Sequence, residues 1–172
     1  MKKNPANYHI LIVEDEPLLS MNYSDSLKEH GYNISQAMTL LTARNILCSS
    51  HIDLLILDGD LPDGKGIDLI PFIKEPNSRS INNSIPIVYL SAYGTSNKEQ
   101  VKINYSNEIT KILQKPIAMG NLVDQVNQIV ALIPRNNQFE DNCYIRFINN
   151  SERENLLNLA IYEQGQSNYE KN

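Results

Sequence analysis

The sequence predicts an α/β protein, a five-stranded parallel sheet wound on both faces by helices, with a C-terminal helical extension. Two observations carry this expectation. Between Tyr8 and Ile133, short aliphatic runs alternate with segments of helical apolar spacing, the pattern of βα units building a covered parallel sheet. The chain of 172 residues also has the length of one ordinary domain plus a tail.

The strands are expected at Tyr8–Val13, Asn33–Gln36, Asp53–Leu57, Ile85–Leu90 and Ile109–Leu113. The first helix should open at Glu16 or Pro17, where the missing N–H of proline costs nothing. It should bury Leu19, Tyr23 and Leu27 and stop at Gly31. A segment over 97–105 reads as a weakly apolar helix. The last helix of the domain has the clearest period, with Met119, Leu122, Val123, Val126, Ile129, Val130 and Ile133 on one face. From Pro134 to Asp141 the chain is polar and reads as a linker. The expected organisation is a domain over 8–133, a linker over 134–150 and a short helical tail over 151–172.

Composition narrows the class. Hydrophobic residues make up 41% and charged residues 20%, the balance of a soluble globular protein. A net charge of -5 argues against nonspecific nucleic-acid binding, which requires surplus Lys and Arg. The longest aliphatic run, Ile10 to Val13, is far too short for a membrane span, and Met1-Lys2-Lys3 leads into polar residues rather than the apolar stretch of a signal peptide. A cytoplasmic location is expected. Cys48 and Cys143 have no metal-ligand spacing and read as small buried hydrophobes.

In a parallel α/β sheet, ligand sites form beyond the carboxyl ends of the strands. That rule singles out Glu14 and Asp15 after the first strand, Asp58 after the third, Ser91 after the fourth and Lys115 after the fifth. Carboxylates gathered in this way repel one another unless a cation joins them. A hard divalent ion such as Mg²⁺ suits such a set. Asp58 is then the candidate nucleophile for a phosphoryl group. Lys115 supplies a point charge for that group, and Ser91 a hydroxyl donor.

Four motifs, Val13-Glu14-Asp15-Glu16-Pro17, Leu57-Asp58-Gly59-Asp60-Leu61-Pro62-Asp63-Gly64 with Gly66, Leu90-Ser91-Ala92 and Gln114-Lys115-Pro116, each follow a predicted strand. In this order they resemble the response-regulator receiver family, with its CheY-like, flavodoxin-like fold. The resemblance implies that Asp58 accepts phosphate from a histidine kinase or phosphotransfer protein, and that the chain modifies itself without being a multiple-turnover enzyme. It implies Mg²⁺ held by Asp15, Asp58 and the backbone carbonyl of Asp60 with Glu14 supporting, phosphate sensed by Ser91 and Lys115, and a cis Lys115–Pro116 bond. It also implies dimerisation through the face of the fourth helix, fifth strand and fifth helix. Two departures stand out. Ile112 occupies the position where many receivers carry an aromatic switch residue, so the readout is expected to use Tyr93 or backbone shifts. Asn104-Tyr105-Ser106-Asn107 also lacks the usual Gly-Ala pair.

Each element has a plainer reading. The Glu14-Asp15-Glu16 triplet suits a helix N-terminus, Asp58 and Asp60 suit a turn, and Ser91 and Lys115 alone are unremarkable. Their joint placement favours the site. His9, His30 and His51 are scattered and read as surface or packing residues. Asp58-Gly59-Asp60 also resembles the first motif of haloacid-dehalogenase-type phosphatases, and a pocket kept only for protein interaction is a further rival. In the tail, Ser151-Glu152-Arg153-Glu154 forms a capping box ahead of Leu156, Leu157, Ala160 and Ile161. This stretch resembles the start of a LuxR-type helix-turn-helix domain without its recognition helix. Direct DNA binding is therefore not expected, and a docking helix is the favoured reading of the tail.

Overall fold

The computed structural model describes residues 5–74, 80, 82, 84–92, 105 and 107–133, all within the unit Met1–Ile133. Five strands, β1 (His9–Val13), β2 (Asn33–Ala37), β3 (Leu54–Asp58), β4 (Ile87–Ser91) and β5 (Lys111–Gln114), form one sheet in the order β2-β1-β3-β4-β5. Every neighbouring pair is parallel, with Ile10 opposite both Ile34 and Leu54, Asp58 opposite Leu90, and Ser91 opposite Gln114.

Side chains alternate across a strand, and here the alternation divides the core in two. Ile10, Ile12, Leu54, Ile56, Val88 and Leu90 point to one face, where α1 (Pro17–Glu29) adds Tyr23 and Leu27, and the closing helix Met119–Leu132 adds Leu122, Val126 and Val130. Leu11, Val13, Leu55, Leu57, Ile87 and Tyr89 point to the other face, against Leu40, Ala43 and Leu47 of α2 (Leu40–Ser49) and Leu69, Ile70 and Ile73 of α3 (Leu69–Lys74). Both faces are covered, which is why β3 and β4 are buried at all five positions and why their sequences are nearly continuous in apolar residues.

Helix α1 begins at Pro17, as expected, with Glu16 before it. It ends at Gly31, whose φ of 88° is a backbone conformation that glycine adopts without a Cβ penalty. The Gly31 N–H donates to the Lys28 carbonyl at 2.8 Å and the Tyr32 N–H to that of Leu27 at 3.2 Å, the paired bonds of a Schellman ending, with Tyr32 and Leu27 in the same apolar cluster.

Three expectations need adjustment. Strands β3, β4 and β5 each continue one residue beyond the apolar run, because backbone pairing continues past the last aliphatic side chain. Asp58 and Ser91 are therefore the last residues of their strands rather than the first after them. Strand β5 starts at Lys111, since the Ile109 N–H is spent on a turn, donating to the Tyr105 carbonyl at 3.0 Å. Leu19 and Cys48 are half-buried rather than buried. The expected helix over 97–105, apart from Tyr105, and Tyr93, Cys143, the linker and the tail lie outside the described residues.

Candidate functional site

The carboxyl ends of β1, β3, β4 and β5 bring all five expected residues to one rim. The Glu14 N–H donates to the Ala37 carbonyl at the end of β2 (3.0 Å), which turns its side chain into the sheet top, where it is 1% exposed. Asp15, one residue further, is exposed. Asp58 and Ser91 are buried. Lys115 is placed by its own backbone, its N–H donating to the Ser91 carbonyl at 2.8 Å, and the Lys115–Pro116 peptide is cis, as expected.

The Lys115 ammonium lies 2.7 Å from Glu14 Oε2 and 2.8 Å from Asp58 Oδ2. The other Asp58 oxygen, Oδ1, accepts the Gly59 N–H at 2.7 Å. Both oxygens of Asp58 thus have a donor, which fixes the plane of the carboxylate. Burial pushes the Glu14 carboxyl above its ordinary pKa, and the hydrogen bond from Lys115 only partly offsets this. Burial also pulls on Lys115, but its hydrogen bonds to Asp58 and Glu14 outweigh that and raise it. The lysine therefore stays charged. Beneath the site, burial pushes the phenols of Tyr23 and Tyr89 up to about 12, so both are neutral.

Ligand oxygens of Glu14, Asp15 and Asp58 lie within 4.8 Å of one another. Three carboxylates face one ammonium there, and the surplus negative charge and hard oxygen donors fit a divalent cation such as Mg²⁺. The Asp60 side chain does not join this group. It pairs with Lys65 across a two-residue hairpin, Asp60–Leu61 against Gly64–Lys65, which leaves its backbone carbonyl as the group expected of it. Ser91 Oγ lies 3.4 Å from the Ala92 carbonyl, at the limit of a hydrogen bond, so the hydroxyl is weakly held.

Several local contacts were not visible as sequence signals. A Cβ on Gly66 would stand 1.9 Å from the Asp58 carbonyl oxygen, and one on Gly59 would stand 2.7 Å from the Tyr89 hydroxyl. Gly66 is needed for the backbone to pass this close, whereas at Gly59 the near atom is the end of a side chain. Asp63 accepts the N–H groups of Leu40 and Leu41, at 2.8 and 2.9 Å. The glycines were legible as part of a motif, but the contacts that require them join residues distant in sequence. The three histidines have structural roles: His9 Nε2 lies 2.8 Å from Ser35 Oγ, His30 Nδ1 2.8 Å from the Ser26 carbonyl and His51 Nε2 3.3 Å from Asp53.

An open parallel sheet that delivers acids and a lysine to one pocket at its carboxyl end defines a doubly wound α/β protein with a cation-and-anion site. Residues 10–127 match the response regulator receiver domain, and the chain belongs to that family, the receiver modules of two-component response regulators. The chain is 26% identical over 141 residues to the TorCAD operon transcriptional regulatory protein TorR of Escherichia coli strain K12, covering 80% of this chain and 58% of the relative. It is 31% identical over 121 residues to the probable transcriptional regulatory protein SilR of Salmonella typhimurium, covering 70% and 50%. The chain thus spans about half the length of these relatives. In fold it is similar to the signal receiver domain of a signal transduction histidine kinase from Syntrophus aciditrophicus, with a TM-score of 0.66 and 23% identity over 75% of this chain and 94% of that one. Family membership does not favour the haloacid-dehalogenase reading. Among the described residues no helix is long and apolar enough to cross a membrane.

Proposed function

We infer that the chain is a phosphate-accepting switch: Asp58 takes a phosphoryl group from a histidine kinase or phosphotransfer protein in a Mg²⁺-dependent reaction. The observation that carries this reading is the contact of Lys115 with Asp58 Oδ2 at 2.8 Å, beside a cluster of acids that needs a cation. Asp15, Asp58 and the Asp60 carbonyl would hold the ion, with Glu14 in support. When bound, the ion neutralises charge on the acids and on the incoming phosphoryl group.

The protein's own part is positioning. An oxygen of Asp58 forms the new O–P bond as the P–N bond to the donor histidine breaks. Gly59 N–H and Lys115 hold the carboxylate in plane beforehand, Lys115 then faces a phosphoryl oxygen, and the loosely held Ser91 hydroxyl is available to donate to another. Hydrolysis of the adduct returns the carboxylate, so the chain modifies itself and turns over no external substrate. The domain over 8–133 works in the cytoplasm, and the part proposed for residues 151–172 is docking to a partner rather than reading DNA. Signalling to transcription or to a protein partner, and dimerisation through the face containing β5 and the closing helix, are the outputs that accord with relatives that regulate transcription.

The test is intact mass after incubation with Mg²⁺ and acetyl phosphate. One phosphate should be added to the wild type and none to Asp58→Ala or in the presence of EDTA. A wild type that stays unmodified under all conditions overturns phosphoacceptance and leaves a pocket used for binding alone.

A further inference from the structure

We propose that Asp63 is a positioning residue for the cation side of this site, fastening the loop that carries the Asp60 carbonyl to the N-terminus of α2; this rests on the reading of Asp60 given above. A helix leaves its first N–H groups without intrahelical partners. In α2 these are covered from two directions. Thr39 Oγ1 accepts the Thr42 N–H at 3.1 Å from within the helix's own sequence. The N–H groups of Leu40 and Leu41 instead go to the two carboxylate oxygens of Asp63, at 2.8 and 2.9 Å. These two hydrogen bonds hold the Asp63 carboxyl below its ordinary pKa, so it is ionised at neutral pH and faces the positive end of the helix.

The far side of this link is the site. Asp63 lies in the connection of the hairpin that pairs Asp60 with Lys65 and Leu61 with Gly64. Below the hairpin, Gly66 N–H donates to the Gly59 carbonyl at 2.9 Å and Gly59 N–H reaches the Leu90 carbonyl at 3.0 Å. Hairpin and helix approach closely, since a Cβ on Gly64 would stand 2.8 Å from Leu40 Cδ1. Displacing the hairpin therefore moves the Asp60 carbonyl relative to Asp15 and Asp58. The bidentate hold of Asp63 on α2 resists that movement, as groups behind a metal's direct ligands commonly do.

The experiment compares Asp63→Ala, Asp63→Asn and Thr39→Ala in the full chain, with Mg²⁺ affinity read by calorimetric titration and folding checked by circular dichroism at the same temperature. Thr39→Ala removes a cap from the same helix end without touching the hairpin. The expected result is a Mg²⁺ dissociation constant raised on the order of tenfold in Asp63→Ala, raised less in Asp63→Asn, which keeps one acceptor oxygen, and unchanged in Thr39→Ala. Wild-type affinity in Asp63→Ala overturns the proposal, as does an equal loss in Thr39→Ala. A wild type that binds no Mg²⁺ and accepts no phosphate overturns the functional reading and the proposal together.

Discussion

The two ends of the sheet carry similar residue types and use them in opposite ways. At the amino end, Asp53 and Asn82 are matched to backbone. Asp53 Oδ2 accepts the His9 N–H at 2.7 Å. Asn82 accepts the Ile52 N–H at 2.7 Å and donates to the carbonyls of Leu47 and Ser50 at 2.8 and 2.9 Å. At the carboxyl end, Glu14, Asp15 and Asp58 crowd together with Lys115 as their cation. The first arrangement is complete and holds the fold. The second carries surplus negative charge, three carboxylates to one ammonium. Burial of polar groups alone does not mark a site; an imbalance within the buried set does.

The contrast can be tested from either end. The largest effect is expected at the carboxyl end, from Gly66→Ala. The new methyl collides with the Asp58 carbonyl, and a displacement of about 1 Å at a reacting group can cost on the order of 100-fold. Time courses of acetyl-phosphate labelling should show that loss, and a wild-type rate would mean that the loop is softer than its contacts indicate.

At the amino end, Asn82→Ala strands a buried N–H and two carbonyls and should cost about 2–3 kcal/mol in urea unfolding. Labelling per folded molecule should not change, and a slowed rate would blur the division between the two ends. Mg²⁺ at a hundred times its dissociation constant should stabilise wild type and Asn82→Ala alike, by about 2.7 kcal/mol. Thermal unfolding with and without the ion measures this, and no stabilisation would deny that the surplus negative charge of the carboxyl end draws a cation.

The smallest effect is a pH dependence at the amino end. The hydrogen bond to Asp53 raises the pKa of His51 against the opposing pull of burial. A histidine raised on folding stabilises fully below its unfolded value, and the stabilisation is lost as pH rises through the folded value. For this half-exposed side chain the contribution is at most about 1 kcal/mol. Stability curves of wild type and His51→Gln should converge above that range and separate below it, and parallel curves would show that the pair contributes nothing.

Most of the carboxyl end was legible in the sequence because its logic is local. Each of Glu14, Asp58 and Ser91 adjoins an aliphatic run and Lys115 follows one after Gln114, and the rule that parallel strands deliver their ends to one rim does the rest. The limits of the strands were less legible, since Asp58 and Ser91 are polar yet remain in the ladder opposite Leu90 and Gln114. What reading along the chain could not reach were contacts that join distant residues. The hold of Asp63 on α2 spans 22 and 23 positions, the hold of Asn82 on Ile52 spans 30, and neither leaves a periodic trace.

The order of synthesis gives the placement of Lys115 a further consequence. Asp58 emerges from the ribosome well before Lys115, the one cation that touches it among the described residues, and β4 and β5 must both be added before that cation is in place. A nascent chain, or any partly unfolded form in which β5 has left the sheet edge, carries Asp58 without its lysine. The ion pair between Asp58 and Lys115 is thus a property of the completed sheet and of no shorter stretch of the chain.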